Sequence, residues 1–368
     1  MSVDRWNRLR EQMKDRGWSA AAVLPGANLF YLSGLSFHLM GRPTVGLFPA
    51  EGRPRLIVPV LELEKARSAP LDFEFFDYGE DETSRAGAFQ RGFEGLAPAG
   101  GRLAVEPLRM RFLELELIRS AAPGLRIEPA GDLLESFRIQ KEASEIKFMR
   151  QAIGVAQVAL EKTLGQVRMG MTEQELATRL TLELYQAGSD PELPFAPVVA
   201  SGPASALPHA VPTDRALAAG DLLLFDWGAA RGGYFSDLTR TFALGEIDPE
   251  LAKVHAIVEQ ANAAGRKAVR PGVTCASVDA AARAVIDAAG YGPSFLHRTG
   301  HGLGLDVHEP PYLRGDNAQV LLPGMTFTVE PGVYLPGHGG VRIEDDMLVT
   351  ETGGETLSDL PRALRRLG

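Results

Sequence analysis

Helical and extended hydrophobic periods alternate along the first third of the chain. Trp6, Leu9 and Met13 recur at helical spacing, and Gly17 is a suitable end for that helix. Short apolar runs then predict strands, separated by helical or turn-rich segments; they lie at 20–24, 44–48, 55–60 and 103–106. Strands that alternate with helices indicate an α/β domain with a mixed sheet.

The pattern changes near Arg138, where a long amphipathic helix begins and Ser144 is a candidate cap. A second helix is predicted from Thr172, because Thr172 and Glu175 have the spacing of a capping box. Two more helices and four strand-like runs follow, at 249–269, 277–289, 221–227, 234–244, 325–330 and 341–350. Helices around a mainly antiparallel sheet predict an α+β domain. We therefore expect an N-terminal domain at 1–137 and a C-terminal domain at 138–368.

Composition narrows the function classes. Hydrophobic residues make up 45% of the 368 residues and charged residues 23%, which is typical of a globular chain. The net charge of −9 argues against nucleic acid or an anionic membrane as the main partner. Cys275 is the single cysteine, so neither an intrachain disulfide nor a thiolate zinc cage can form. No apolar run reaches the roughly 18 residues of a membrane span, and we expect a cytoplasmic protein.

The segment LLLFDWGAARGGYFSDLTRTF reads as a hairpin with Arg231-Gly232-Gly233 as its turn signal. A two-residue loop at Arg231 and Gly232 would place Asp226 directly opposite Asp237, with Cβ atoms about 5 Å apart. Two carboxylates among apolar neighbours repel each other, and a bound cation removes that penalty. The alternative is a pair of solvated aspartates near a loop.

Histidines cluster toward the C-terminal end: four of the seven lie between His297 and His338. The segment GHGLGLDVHEPP contains His301 and His308, seven residues apart, which is the wrong spacing for one turn of helix. Its glycines permit close backbone approach, as expected in a crowded site. We interpret His301 and His308 as two separate contacts to one cavity.

Two further carboxylates occupy strand contexts that disfavour them. Glu330 ends one apolar run, and Glu344 follows Ile343 within another. A salt bridge to Arg342 would explain either one alone. Taken together, two Asp, two Glu and one His outline a site for two hard divalent ions.

Five segments in this order are highly specific: VVASGPASALPHAVPTD, GDLLLFDWGAARGGYFSDLTRTF, GHGLGLDVHEPP, TVEPGVY and VRIEDD. The chain resembles the pita-bread metallopeptidases, the family of methionine aminopeptidase, aminopeptidase P, prolidase and creatinase. The resemblance implies a C-terminal pita-bread fold behind an N-terminal creatinase/prolidase-type α/β domain. It also implies a dinuclear centre with a full ligand set, namely Asp226, Asp237, His301, Glu330 and Glu344. Oxygen ligands and one imidazole favour Mn²⁺, with Co²⁺ and Zn²⁺ as alternatives.

Two segments, NLFYLSG at 28–34 and PHAVP around His209, resemble the proline-specific branch of the family. The resulting hypothesis is a Xaa-Pro dipeptidase that uses a hydroxide shared by two ions. Glu330 would shuttle the proton to the leaving nitrogen, and His308 and His209 would donate hydrogen bonds to substrate. Arg342 would orient Glu330 or a substrate carboxylate, or would simply form a structural ion pair.

One departure keeps a second activity open. Some prolidases carry an arginine four residues after the position of His308, where this chain has Tyr312. Arg314, Arg342 or a residue of a partner subunit would have to replace it in a dipeptidase. Aminopeptidase P, which acts on longer peptides, is therefore the alternative. A non-catalytic binding protein on the same fold is more remote, because every ligand position is filled. The expected partners are a small peptide with proline in second position and a second copy of the chain in a homodimer.

Overall fold

A computed structural model describes residues 2–367. The N-terminal unit ends at Arg138, and the C-terminal unit begins at Ile139. The elements of the N-terminal unit, with the last helix ending at the boundary, are α1 (Ser2–Arg16), β1 (Ala20–Val23), α2 (Ala27–Ser33), β2 (Val45–Pro49), β3 (Arg55–Pro59), α3 (Leu63–Ala66), β4 (Glu74–Tyr78), α4 (Glu82–Phe93), β5 (Arg102–Val105), α5 (Phe112–Ala121), β6 (Arg126–Pro129) and α6 (Gly131–Ile139).

One mixed sheet of strand order β4-β3-β2-β1-β5-β6 forms the centre of this unit. Its inner strands β1, β2 and β3 pair antiparallel, and the remaining contacts are parallel. Leu47 and Ile57 of the sheet pack with Phe89 of α4 and Ile118 of α5 in the core. The α/β domain with a mixed sheet is confirmed, although the sequence reasoning omitted the edge strands β4 and β6. Both are partly exposed and lack the continuous apolar run of a central strand.

Over residues 139–367, the C-terminal unit contains four long helices and thirteen short strands. Its elements are α7 (Ala143–Leu164), α8 (Glu173–Gln186), β7 (Val198–Ser201), β8 (Leu222–Trp227), β9 (Ala230–Arg231), β10 (Tyr234–Phe235), β11 (Leu238–Leu244), α9 (Pro249–Ala268), α10 (Cys275–Ala288), β12 (Gly300–Gly302), β13 (Glu309–Leu313), β14 (Thr326–Val329), β15 (Gly332–Leu335), β16 (Gly339–Arg342), β17 (Asp345–Val349), β18 (Gly354–Thr356) and β19 (Arg366–Leu367).

Two sheets, of order β19-β11-β8-β7 and β13-β12-β14-β17-β18, lie between two helix pairs. Leu160 of α7 and Leu180 of α8 pack against Phe225 of the first sheet. Val278 of α10 packs against Phe327 of the second sheet. The predicted α+β architecture is confirmed, with helices outside and sheets inside.

The helix starts follow capping chemistry. At α8 the predicted box is present: the Thr172 hydroxyl accepts from the Glu175 N–H, and Glu175 accepts from the Thr172 N–H. At α7 the prediction of Ser144 as cap is wrong. Glu142 is the N-cap and forms its own capping box with Glu145, so the helix begins before Ser144. Within residues 2–367, no helix has the length and apolar character that a bilayer span requires.

Candidate metal centre

The β9–β10 hairpin sets the relative positions of Asp226 and Asp237. Its register differs from the predicted one. Arg231 pairs with Tyr234, so the loop is Gly232-Gly233 rather than Arg231-Gly232. Both glycines have positive φ, 58° and 81°. A tight hairpin turn of the primed type needs positive φ at both central positions, which glycine adopts without steric cost.

Asp226 therefore lies opposite Thr239, and Asp237 is its diagonal neighbour. The expectation that the two aspartates face each other directly is wrong. Moving a two-residue loop by one position shifts each cross-strand partner by two, however, so Asp237 stays on the same face as Asp226. The structure brings both together with Glu344: one carboxylate oxygen of each lies within 4.8 Å of the others.

The second sheet supplies the remaining predicted ligands. His301 lies on β12, Glu330 follows β14, and Glu344 lies between β16 and β17. Ligand atoms of these three side chains lie within 4.8 Å of one another. His301 Nε2 is 3.3 Å from Glu330 Oε1 and 3.6 Å from Asp237 Oδ2. All five predicted side chains thus meet in one cluster.

Burial dominates the electrostatics of this cluster. It raises the pKa of Glu330 to about 7, and burial together with the neighbouring carboxylates raises the pKa values of Asp237 and Glu344 well above the ordinary range. Burial lowers the pKa of His301, which favours the neutral imidazole that binds a metal. A carboxylate-rich, desolvated cluster of this kind is relieved by a cation.

One buried atom tests whether a metal fits. Asp226 Oδ2 accepts from Arg342 Nη2 at 2.5 Å, whereas Asp226 Oδ1 is buried and has no hydrogen-bond partner among the described residues. A buried carboxylate oxygen without a partner is costly. A divalent ion would satisfy it, so the donor set fits hard divalent ions.

Arg342 is buried, and each of its three guanidinium nitrogens donates at least one hydrogen bond. Besides Asp226, it donates to the hydroxyl groups of Thr239 and Tyr334 and to the Pro208 carbonyl oxygen. Within residues 2–367, the Arg342 side chain therefore donates hydrogen bonds to Asp226 of the cluster and to three neighbouring groups. None of these hydrogen bonds goes to the Glu330 carboxylate. This is the arrangement of a structural ion pair beside the site.

The two predicted hydrogen-bond donors, His308 and His209, are both exposed, and His308 lies against the cluster. The His308 ring meets the His301 ring edge to face, with centroids 4.2 Å apart. A ring nitrogen of His308 also lies within 4.8 Å of a carboxylate oxygen of Asp237 and of a ring nitrogen of His301. His209 follows Pro208, whose carbonyl oxygen is bound by Arg342.

Other candidates lie elsewhere. His338 is on the surface and pairs with Asp248 at 3.3 Å, and Arg314 is exposed and pairs with Asp316 at 2.9 Å. His297 Nε2 is hydrogen-bonded to the Tyr334 hydroxyl at 2.8 Å, and the same hydroxyl accepts a hydrogen bond from Arg342.

Two supporting residues escaped the sequence reasoning. Thr239 donates to Glu344 Oε2 at 2.6 Å. Asn262 of α9 donates to the carbonyl oxygens of Val329 and Ile343, the residues that precede Glu330 and Glu344. The role of Thr239 could have been inferred from its position in the strand that follows Asp237. Nothing in the helical sequence around Asn262 indicates its role.

Two sheets between helix pairs, with a buried carboxylate and imidazole cluster between strands, define a pita-bread metallopeptidase. Residues 147–351 match the model of metallopeptidase family M24, and residues 5–140 match that of the creatinase/prolidase N-terminal domain. The chain belongs to metallopeptidase family M24.

Three solved structures of similar proteins each cover at least 98% of the chain. A dipeptidase from Pyrococcus horikoshii OT3 is 40% identical over 99% of this chain and 100% of its own, with a TM-score of 0.92. A Xaa-Pro dipeptidase from Bacillus anthracis is 32% identical over 100% of both chains, also with a TM-score of 0.92. An X-Pro aminopeptidase from Thermotoga maritima MSB8 is 32% identical over 98% of this chain and 99% of its own, with a TM-score of 0.87.

Proposed function

We propose that this metallopeptidase is a Xaa-Pro dipeptidase. The observation that carries the proposal is the meeting of Asp226, Asp237, His301, Glu330 and Glu344 in one buried cluster. The likeness to dipeptidases over the full chain length supports the substrate class. An Xaa-Pro bond lacks the N–H by which other peptidases hold a substrate strand, so a dedicated pocket is needed.

The five clustered residues would hold two divalent ions, with Mn²⁺ as the expected metal and Co²⁺ and Zn²⁺ as alternatives, because oxygen donors dominate. When bound, such ions supply a nucleophilic hydroxide near neutral pH and polarise the scissile carbonyl. Metal analysis of the purified protein, together with calorimetric titration of each ion, tests this assignment.

The protein's own groups complete the reaction. Glu330 would take a proton from the attacking water and deliver it to the proline nitrogen, so that this nitrogen leaves as a neutral amine. His308 and His209, which are both exposed, donate hydrogen bonds to the substrate carbonyl oxygen as negative charge develops on it. Arg342 fixes Asp226 by the 2.5 Å bond.

The second candidate is a Xaa-Pro aminopeptidase. It is favoured by Tyr312, which stands where some prolidases have arginine, and by the likeness to the aminopeptidase from Thermotoga maritima. Hydrolysis of Ala-Pro and of an Ala-Pro-containing pentapeptide in Mn²⁺ separates the two. A dipeptidase cleaves the first and leaves the second intact.

We further propose a homodimer as the assembled form, by resemblance to the proline-specific branch. Light scattering coupled to size-exclusion chromatography tests the mass directly.

A further inference from the structure

Arg298 is a cation without an acidic partner. It is half-buried and lies three residues before His301. Within the described part of the chain its guanidinium forms no ion pair and no hydrogen bond; its contact is the ring of Tyr312, whose centroid is 4.7 Å from the guanidinium carbon. A half-buried guanidinium with no anion beside it is available to bind an anionic ligand.

The position of Tyr312 directs Arg298 toward the metal cluster. Tyr312 lies opposite His301 across the β12–β13 pair, so both side chains are on one face of the sheet. The guanidinium of Arg298 lies over the Tyr312 ring, which shares this face with the proposed ligand His301.

Other cations near the site are already occupied. Arg342 uses its donors on Asp226, Thr239, Tyr334 and the Pro208 carbonyl. Lys141 is buried in an ion pair with Glu309 at 2.6 Å. Both cations are therefore already paired with a carboxylate of the protein, unlike Arg298.

We propose that Arg298, held over Tyr312, binds the C-terminal carboxylate of a dipeptide substrate. This proposal rests on the proposed dipeptidase function. Binding of the terminal carboxylate by Arg298 would explain a preference for dipeptides over longer peptides. A planar guanidinium offers two parallel N–H groups to a carboxylate, a geometry that an internal peptide bond of a longer substrate does not match.

The test compares Ala-Pro with Ala-Pro-amide, which lacks only the terminal charge. In Arg298→Ala, KM for Ala-Pro rises about 10- to 100-fold, as expected for a lost charge-assisted hydrogen bond, while kcat/KM for the amide changes less than about 3-fold. Calorimetric titration with free proline and prolinamide gives the same contrast without turnover. Arg314→Ala is the matched control, because that arginine is exposed and paired with Asp316.

The outcomes separate the two proposals. If the wild type cleaves neither Ala-Pro nor its amide, the dipeptidase function is wrong. If it cleaves Ala-Pro but Arg298→Ala affects both substrates equally, or neither, Arg298 does not bind the carboxylate.

Glu173, the first residue of α8, holds both ends of the loop that carries His209. It is fully buried, and its Oε1 accepts from the Ser201 N–H and hydroxyl at 2.7 and 2.8 Å. Its Oε2 accepts from the Thr213 N–H and hydroxyl at 3.0 and 2.7 Å. Ser201 and Thr213 lie on either side of His209 in sequence, so one carboxylate fastens both ends of the loop that carries it.

We infer that Glu173 is a positioning residue for His209. In Glu173→Gln the amide nitrogen cannot accept from a backbone N–H, so one end of the loop is released. We expect kcat to fall about 10- to 100-fold with metal content unchanged.

A double-mutant cycle with His209→Ala provides the test. When His209 is already absent, Glu173→Gln should reduce kcat by less than about 2-fold more. The control is Glu175→Ala in the capping box of the same helix, which lowers Tm without interaction with His209→Ala. If the effects of Glu173→Gln and His209→Ala simply multiply, Glu173 does not act through His209.

Discussion

Asp226 lies directly opposite Thr239, not opposite Asp237, in the β8–β11 pair. Thr239 connects the aspartate strand to the second sheet, because its hydroxyl donates to Glu344 Oε2 at 2.6 Å and accepts from Arg342 Nε at 3.1 Å. The two aspartates consequently approach the cluster as diagonal neighbours from two adjacent chain segments, on one face of the sheet. Each contributes an oxygen to the same group as Glu344.

Asp237→Asn should lower metal occupancy and activity together, because it removes a charged donor from that group. We expect metal affinity to drop by at least 10-fold and activity at limiting metal to drop in proportion. Calorimetric titration and elemental analysis measure the first quantity, and Ala-Pro hydrolysis the second. Asp316→Asn, at an exposed aspartate, is the control. Two bound ions and full activity in Asp237→Asn would show that this carboxylate is dispensable.

The β9–β10 hairpin is predictable from the sequence except for the position of its loop. The three turn residues Arg231-Gly232-Gly233 allow two adjacent loops, of which Arg231-Gly232 was predicted. The preference for positive φ at both loop positions selects Gly232-Gly233 instead. The cluster was still predicted because a one-position shift of the loop preserves the face on which every side chain lies.

Long-range supports were not predictable in the same way. Asn262 sits in an amphipathic helix, and its hydrogen bonds to Val329 and Ile343 depend on how α9 packs against two separate strands. The sequence analysis assigned no role to Glu173, which follows the Thr172 cap at the start of α8. Its four hydrogen bonds arise from a loop that returns to the helix after Ser201. No local spacing encodes either contact.

His308→Ala should leave metal content largely intact and reduce kcat by roughly 100- to 1,000-fold, the range for loss of one transition-state donor. The side chain is exposed and stands edge to face against His301. Since its ligand atom also lies within 4.8 Å of those of Asp237 and His301, metal analysis is the deciding measurement. Loss of an ion from His308→Ala would make it a ligand instead of a donor.

His255 should make the fold sensitive to acid. It is buried in α9 near Arg240, and burial lowers its pKa from 6.5 to about 4. The folded state therefore prefers the neutral ring. The stabilisation is fully present above pH 6.5 and is lost as pH falls toward 4.

Between pH 7 and pH 5 this group alone accounts for about 2 kcal/mol of unfolding free energy. Urea unfolding of the wild type and of His255→Gln at both pH values measures it. The stability difference between the two proteins should shrink by that amount at pH 5. An unchanged difference would mean that His255 is equally protonated in the folded and unfolded chains.

Asn262→Ala should weaken metal binding without touching any proposed ligand. The amide nitrogen donates to the Val329 and Ile343 carbonyl oxygens at 3.0 and 3.2 Å, and so fixes the backbone immediately before Glu330 and Glu344. Loss of a residue that orients ligands typically costs 10- to 100-fold in metal affinity, and we expect about that change for Mn²⁺ by calorimetry. Gln260→Ala, at an exposed position of the same helix, is the control for any effect on α9 itself. Asn262 could position the two glutamates or could only support the core, and unfolding in the presence of a chelator separates these roles. If the metal-free variant is less stable than the wild type but the folded variant binds Mn²⁺ as tightly, Asn262 supports the core and does not position the glutamates.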